Sequence, residues 1–166
     1  MDFRDLTEFL KDSFKYILIA IIVIFLFLYV VSFQQVVGPS MQPTLQEGNI
    51  VIVSKLSYKF GDIKRGDILV FEYDGMKNLI KRVIGLPGEK IEFKNNTLYI
   101  DGIAYKESYL ENIKTNDYKV EKVEENHYIV LGDNRENSYD SREIGQISKD
   151  DIIGKVVLRL WPFKKM

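Results

Sequence analysis

Ser40 lies in the segment Gly38-Pro39-Ser40-Met41-Gln42-Pro43-Thr44-Leu45, and Lys81 in Lys81-Arg82-Val83-Ile84-Gly85. A serine hydroxyl attacks a carbonyl only when a neighbour takes its proton, and a lysine amine can do this once it is neutral. Gly and Pro around Ser40 predict a fixed, unusual backbone path that exposes the hydroxyl together with its own N–H. On its own, such a serine is more often a plain turn residue than a nucleophile. On a strand, residues 79, 81 and 83 share one face, which sets Lys81 beside Leu79 and Val83. Burial there favours the neutral amine. Lowering a lysine pKa from about 10.4 to about 7–8 costs roughly 3–5 kcal/mol, so a fold keeps such a group only with compensation or for a use. The bland alternative is a strand-edge lysine whose ammonium reaches water. Taken as a pair, Ser40 and Lys81 have the chemistry for acyl transfer to water through an acyl-enzyme.

A third segment, Gly132-Asp133-Asn134-Arg135-Glu136-Asn137-Ser138, continues to Arg142. A Gly/Asp/Asn run after a strand is often just a turn. Its functional reading is support for the lysine: Ser138 and Ser141 are candidate hydroxyls to orient the amine. Asp133, Asp140, Arg82, Arg135 and Arg142 are candidates for ion pairs that lock the loop. Met41 and Leu45 read either as core or as the lining of a small apolar pocket. His127, the one histidine, lies on an apparent strand outside any Gly-rich loop. No G-x-S-x-G elbow accompanies it, so a Ser-His-Asp arrangement is disfavoured and a structural histidine is expected.

These residues need elements to hold them. The run Tyr16–Phe33 has no charge, Pro or Gly. At about 1.5 Å per residue it covers about 27 Å, close to the hydrocarbon thickness of a bilayer. It is apolar on every face, unlike a surface helix. Arg4, Lys11 and Lys15 precede it, and no Lys or Arg follows until Lys55. The positive-inside rule predicts a cytoplasmic N-terminus and everything after Phe33 outside. The run is longer than a signal-peptide core and no A-x-A-like site follows, so an uncleaved anchor is expected.

The remainder of the 166 residues suffices for one domain with a real core. The absence of cysteine excludes thiol chemistry and disulfides, and a single histidine excludes a two-histidine metal centre. A net charge of −1 gives no reason to expect nucleic acid. After the span the pattern is one of short strands: Ile50–Val53, Ile68–Phe71, Leu79–Ile84, Lys90–Phe93, Thr97–Ile100, His127–Leu131 and Ile152–Leu160. Lys94-Asn95-Asn96 reads as a hairpin turn. Tyr105 to Glu125 is charged and poorly patterned, and reads as a small excursion or cap. Its acidic residues Glu121, Glu124 and Glu125 read as solvated surface. The fold expected is mainly β, of twisted antiparallel sheets.

In order and spacing, these segments resemble the bacterial type I signal peptidases in their small single-span form. The resemblance is carried by the anchor, GPSMQPTL, Gly66-Asp67-Ile68-Leu69-Val70-Phe71, IKRVIGLPGE, GDNRENSYDSR, Ile153-Gly154-Lys155-Val156 and Leu160-Trp161-Pro162-Phe163. It implies Ser40 as nucleophile, Lys81 as general base and Ser138 as the hydroxyl that holds the lysine amine. It further implies Asp140 with Arg142 as a supporting pair, and Arg82 with Asp133 as a second. Val36, Met41, Leu45 and Ile80 match positions lining pockets for small substrate side chains. The division implied is a cytoplasmic tail (1–15), a transmembrane helix (16–33), an extracytoplasmic catalytic core (34–97 and 126–166) and a small inserted unit (98–125). Substrates implied are secretory preproteins, cut after small residues at the third-last and last positions of the signal peptide. Neither cofactor nor metal is implied, and a monomer at the bilayer is expected.

Some relatives carry a serine two residues before the nucleophile as an oxyanion donor. Here that position is Gly38, and Pro39 has no N–H, so the Ser40 N–H is the donor identified and a second is unassigned. Trp161 and Phe163 read as lipid-interface residues or as core. Two rivals differ in class. A self-cleaving Ser/Lys domain like those of SOS repressors would follow a DNA-binding segment, whereas here a membrane span stands in its place. An inactive relative or membrane-tethered binding module would be expected to lack Ser40 or Lys81.

Overall fold

The computed structural model describes residues 3–57, 61–75, 77–110, 114–162 and 164–165, with side chains from Thr7 to Pro162. Helix α1 runs Phe3–Tyr29. Its stretch Thr7–Tyr29 is long and apolar enough to cross a membrane, and none of it is covered by the rest of the protein.

The helix ends at Tyr29, short of the expected limit at Phe33. Val30 N makes the last helical bond, to Leu26 O at 3.0 Å. Residues Val31–Gln35 then form strand β1, paired antiparallel with β2 (Ile50–Ser54) so that Phe33 faces Ile52. An apolar, β-branched run suits a membrane helix and a strand equally well. Tertiary pairing settles it here. Lys55 N donates to Val30 O at 2.8 Å, and Lys55 Nζ reaches the helix-end carbonyl of Leu28 at 3.4 Å.

Ten further strands follow: β3 (Ile68–Tyr73), β4 (Lys77–Gly85), β5 (Ile91–Lys94), β6 (Thr97–Ile100), β7 (Ile103–Tyr105), β8 (Tyr118–Val120), β9 (His127–Leu131), β10 (Ile147–Ser148), β11 (Ile152–Trp161) and β12 (Lys164–Lys165). Eight build the main sheet in the order β1-β2-β11-β3-β4-β9-β10, with β12 beside β11. The smaller sheet has the order β7-β6-β5-β8, and the described pairings in both sheets are antiparallel. The smaller sheet takes in both strands of the 91–100 hairpin. The fold is mainly β, antiparallel, behind an apolar N-terminal helix.

Burial explains the sequence pattern. Successive side chains of a strand point to opposite faces. On β3, Ile68 and Val70 enter one apolar cluster with Val36, Met41, Leu45, Val51, Val53 and Val156, while Leu69 and Phe71 enter another with Val83, Val130 and Ile152. Covered on both faces, β3 is apolar at four consecutive positions instead of alternating. Strand β9 splits the same way. Its Tyr128 and Val130 face the second cluster, and Ile129 and Leu131 a third, which includes Ile91, Phe93 and Leu98 of the smaller sheet. The smaller sheet is thereby joined to the main one through apolar contact just ahead of Gly132.

Candidate active site

The strand β1 delivers the chain into the Ser40 turn. Val36 is tied to Asn49 and Gly48 by backbone bonds of 2.8 and 2.9 Å, and Gly38 takes φ +78°, a conformation glycine adopts without steric cost. Pro39 O accepts from Gln42 N at 3.0 Å and Met41 O from Leu45 N at 2.8 Å. Met41 and Leu45 are fully buried below. Asn134 holds the turn from the other side, its N donating to Ser40 O at 3.0 Å and its Nδ2 to Pro39 O at 3.3 Å.

Lys81 reaches the same point from β4, where it pairs with Leu69 of β3. Its Nζ lies 2.8 Å from Ser40 Oγ. Only 3% of the residue is exposed. Burial pushes the amine below the ordinary lysine range; the Asp140 and Asp133 carboxylates pull it up, Arg142 pushes it down, and burial prevails. A hydroxyl and a buried amine whose pKa is lowered, at hydrogen-bond distance, form the arrangement a serine nucleophile needs from its base.

The loop after β9 is held by two buried ion pairs. Arg82 binds Asp133 through two bonds of 2.8 and 2.7 Å, and also donates to Gly66 O and Thr44 Oγ1. Arg142 binds Asp140 through bonds of 2.8 and 2.9 Å and donates to Arg135 O at 2.7 Å. Burial alone would raise the Asp140 pKa, but the Arg142 bonds and the Gly132 N–H outweigh it and hold the carboxyl below its usual range. Asp140 also caps the one-turn helix Ser141–Ile144 in a capping box with Glu143.

The two candidate hydroxyls diverge. Ser141 Oγ accepts from Val130 N at 2.9 Å and serves the backbone. Ser138 Oγ is buried without a hydrogen-bond partner of acceptable geometry, although it lies close enough to Asp140 to help keep that carboxyl ionised. No bond joins it to Lys81 among the described residues. Gly132 explains its crowding: a Cβ there would come within 2.1 Å of Ser138 Oγ and 2.5 Å of Ser40 O.

A cleft of about 250 Å³ contains Ser40 and Lys81 and is lined by Val36, Met41 and Ile80, with Gln34, Val37 and Asn78 at its sides. Leu45 does not line it; fully buried, it packs in the apolar cluster that holds Met41. His127 bonds the Glu125 carbonyl at 2.9 Å and lies beside Glu124. No group of three or more His, Asp or Glu residues able to hold a metal occurs among the described residues. Trp161 is 71% exposed and so is not a core residue, while Phe163 lies outside the described residues.

Three contacts were not legible in the sequence. Asn134 pins the Ser40 turn. Glu107, in the turn after β7, grips Arg135 with two bonds of 2.9 and 2.5 Å. Tyr109 donates to Glu107 at 2.5 Å and lays its ring 4.0 Å from the Arg82 guanidinium. Nothing local marks Glu107 or Tyr109, because the arginines they hold, Arg135 and Arg82, lie in distant segments.

The fold and this geometry define a class: a mainly β domain behind an apolar helix, with a serine hydroxyl set against a buried lysine. The sequence profile described as signal peptidase, peptidase S26, matches residues 7–161. Signal peptidase I of Bacillus caldolyticus is 44% identical over 152 residues, covering 83% of this chain and 84% of that one. Signal peptidase IB of Staphylococcus aureus is 38% identical over 177 aligned positions, covering 93% of each. The crystal structure of a signal peptidase I from Enterococcus faecalis V583 superposes with a TM-score of 0.54 at 34% identity, over 57% of this chain and 97% of that one. The chain belongs to the signal peptidase family, peptidase S26, and is an enzyme of the serine endopeptidase class.

Proposed function

We propose that this enzyme removes signal peptides from secreted preproteins at the membrane, with Ser40 as nucleophile and Lys81 as general base. The observation that carries the reading is the 2.8 Å contact between Lys81 Nζ and Ser40 Oγ, made by an amine whose burial favours its neutral form. Neutral Lys81 takes the Ser40 proton as Oγ bonds to the scissile carbonyl carbon. The Ser40 N–H donates to the resulting oxyanion. As the C–N bond breaks, the Lys81 ammonium gives its proton to the leaving amine. Lys81 then takes a proton from a water that attacks the acyl-enzyme, and returns it to Ser40 Oγ as the ester C–O bond breaks and the acid product leaves. Arg82–Asp133 and Arg142–Asp140 keep the loop rigid around the amine. The Ser138 hydroxyl, buried and unpartnered, is the group available to steady Lys81 once Ser40 has been acylated.

Substrate recognition follows from the free edges. Among the described residues, β1 ends the main sheet and the first half of β4 pairs only with β3. An extended peptide laid between Gln34–Val37 and Asn78–Lys81 would find backbone partners and send alternate side chains into the cleft. Val36, Met41 and Ile80 give the cleft an apolar lining, which is compatible with small apolar side chains at the third-last and last positions. The basic residues Arg4, Lys11 and Lys15, ahead of the uncharged stretch that begins at Tyr16, support a cytoplasmic N-terminus and an extracytoplasmic catalytic domain. That topology sets the cleft a short chain length beyond the helix end at Tyr29, where the apolar part of an exported chain would finish.

Cleavage of a preprotein by the detergent-solubilised enzyme, with the new N-terminus sequenced, tests this. One cut after a small–x–small site is expected. Ser40→Ala and Lys81→Ala should each lower turnover by about 10³-fold or more while remaining folded. Substantial cleavage by pure Lys81→Ala would sink the scheme.

A further inference from the structure

The smaller sheet is joined to the catalytic loop by more than apolar packing. Arg135, 3% exposed, sits at the join. Its Nε donates to Gly132 O at 3.0 Å, and its two terminal nitrogens bind Glu107 in a fork. Thr115 Oγ1 accepts from it at 3.2 Å, and its guanidinium lies 5.2 Å from the Phe93 ring. Four contacts on one buried cation thus come from the smaller sheet and its flanks, while Gly132 and Arg142 hold Arg135 from the loop side. Gly132 in turn lies against Ser40 O and Ser138. Tyr109 extends the same grip to the second arginine: its hydroxyl binds Glu107 and its ring covers Arg82, which follows Lys81 in the chain.

From this chain of contacts we infer that Glu107, supported by Tyr109, is a positioning residue for catalysis: acting through Arg135 and the Gly132 carbonyl, it sets the loop that lies against Ser40 and Lys81. The inference rests on the Ser40–Lys81 reading and goes beyond it, since it gives the smaller sheet a catalytic use. A carboxylate is required because Arg135 is buried and permanently charged; a bidentate pair fixes its plane as well as its position. Arg135 held off-plane would move Gly132, and with it the surface on which the Ser40 turn rests. Misplacement of reacting groups by about 1 Å can cost about 100-fold in rate.

The test compares the parent enzyme with Glu107→Gln, Glu107→Asp, Arg135→Met and the double variant Glu107→Gln/Arg135→Met, all as full chains in detergent. Steady-state cleavage of a preprotein is measured and divided by the folded fraction, read from near-UV circular dichroism and thermal melts. Glu107→Gln is expected to lower kcat by about 10-fold to 100-fold with KM within about 2-fold, and Glu107→Asp to recover part of it. The double variant should be no slower than Arg135→Met, because Glu107 acts through Arg135. Unchanged kcat per folded molecule in Glu107→Gln would overturn the inference, as would a rise in KM alone or additive losses in the double variant. Should the Glu107 variants fail to fold, Tyr109→Phe reads the same coupling: a fall of about 3-fold in kcat supports it, and parent-like kcat overturns it. Ser40→Ala is carried alongside: cleavage surviving in it would count against the Ser40–Lys81 reading rather than against Glu107.

Discussion

Lys81 and Arg82 are neighbours on β4, both cationic by type and both buried, yet the fold treats them in opposite ways. The Arg82 guanidinium has Asp133 in a two-bond fork, the Gly66 carbonyl, the Thr44 hydroxyl and the face of Tyr109. Lys81 has the Ser40 hydroxyl. A strand sends adjacent side chains to opposite faces, so the two cations meet different hydrogen-bond partners. On the Arg82 side, every charge is matched and the loop is fixed. On the Lys81 side, carboxylates act only from a distance, and burial tips the amine toward neutrality. On the proposed reading, the pair separates structural charge from reactive charge within one dipeptide.

The sharpest way to break that contrast is to orphan Arg82. Asp133 is wholly buried, so Asp133→Ala leaves an unpaired guanidinium in the interior. The expected cost is about 3–5 kcal/mol, because desolvation remains while the compensating attraction is lost. A urea midpoint in detergent measures it. The double variant Arg82→Met/Asp133→Leu should lose far less, since both charges leave together. If Asp133→Ala costs under about 1 kcal/mol, the pair is hydrated and the separation of roles fails.

A smaller effect sharpens the comparison from the loop side. In Gly132→Ala the added methyl would meet Ser138 Oγ at 2.1 Å and Ser40 O at 2.5 Å. The hydroxyl is a side-chain end and can move, whereas the Ser40 carbonyl is backbone and carries the Ser40 hydroxyl with it. Overpacking of this kind costs about 1–3 kcal/mol of stability. The kcat/KM should fall by about 10-fold to 100-fold, beyond what the lost stability removes. Parent-like kcat in a folded Gly132→Ala would mean that the loop does not set the Ser40 turn.

What the sequence discloses divides along similar lines. Ser40, Lys81 and the 132–142 loop are legible because their residue types are unusual for their surroundings: a serine between Gly/Pro signals, a lysine in an apolar strand, charges in a short Gly-led loop. The anchor is legible from length and composition. Its end is not, because Val30 to Phe33 suits helix and strand alike, and only the partner strand β2 decides. Glu107 illustrates the stronger limit. A glutamate looks the same in sequence whether solvated or bound to a buried arginine, and its partner stands 28 residues away. Glu121, from the same charged segment, is indeed at the surface, paired with Lys90 and Lys119. Ser138 lies between these cases: the resemblance marks the residue, but burial without a partner emerges only from packing.

The smallest expected effect reads Lys81 directly. Above about pH 10.4, the ordinary lysine value, folded and unfolded chains both hold the amine neutral. As pH falls, the unfolded chain takes up a proton first, because the folded pKa is lowered by burial. Stability therefore declines with falling pH through that window, and the cost is complete below the folded pKa. Lys81→Met removes the titrating group while filling similar space. It is expected to raise Tm near neutral pH by about 2–5 °C, with the gain shrinking as pH approaches about 10–11. Thermal melts of the two proteins across pH 6–11 would read it. A gain that stays constant with pH would put the effect in packing. A loss of stability at neutral pH would mean that Lys81 is a satisfied cation like Arg82, leaving Ser40 without a neutral amine to take its proton.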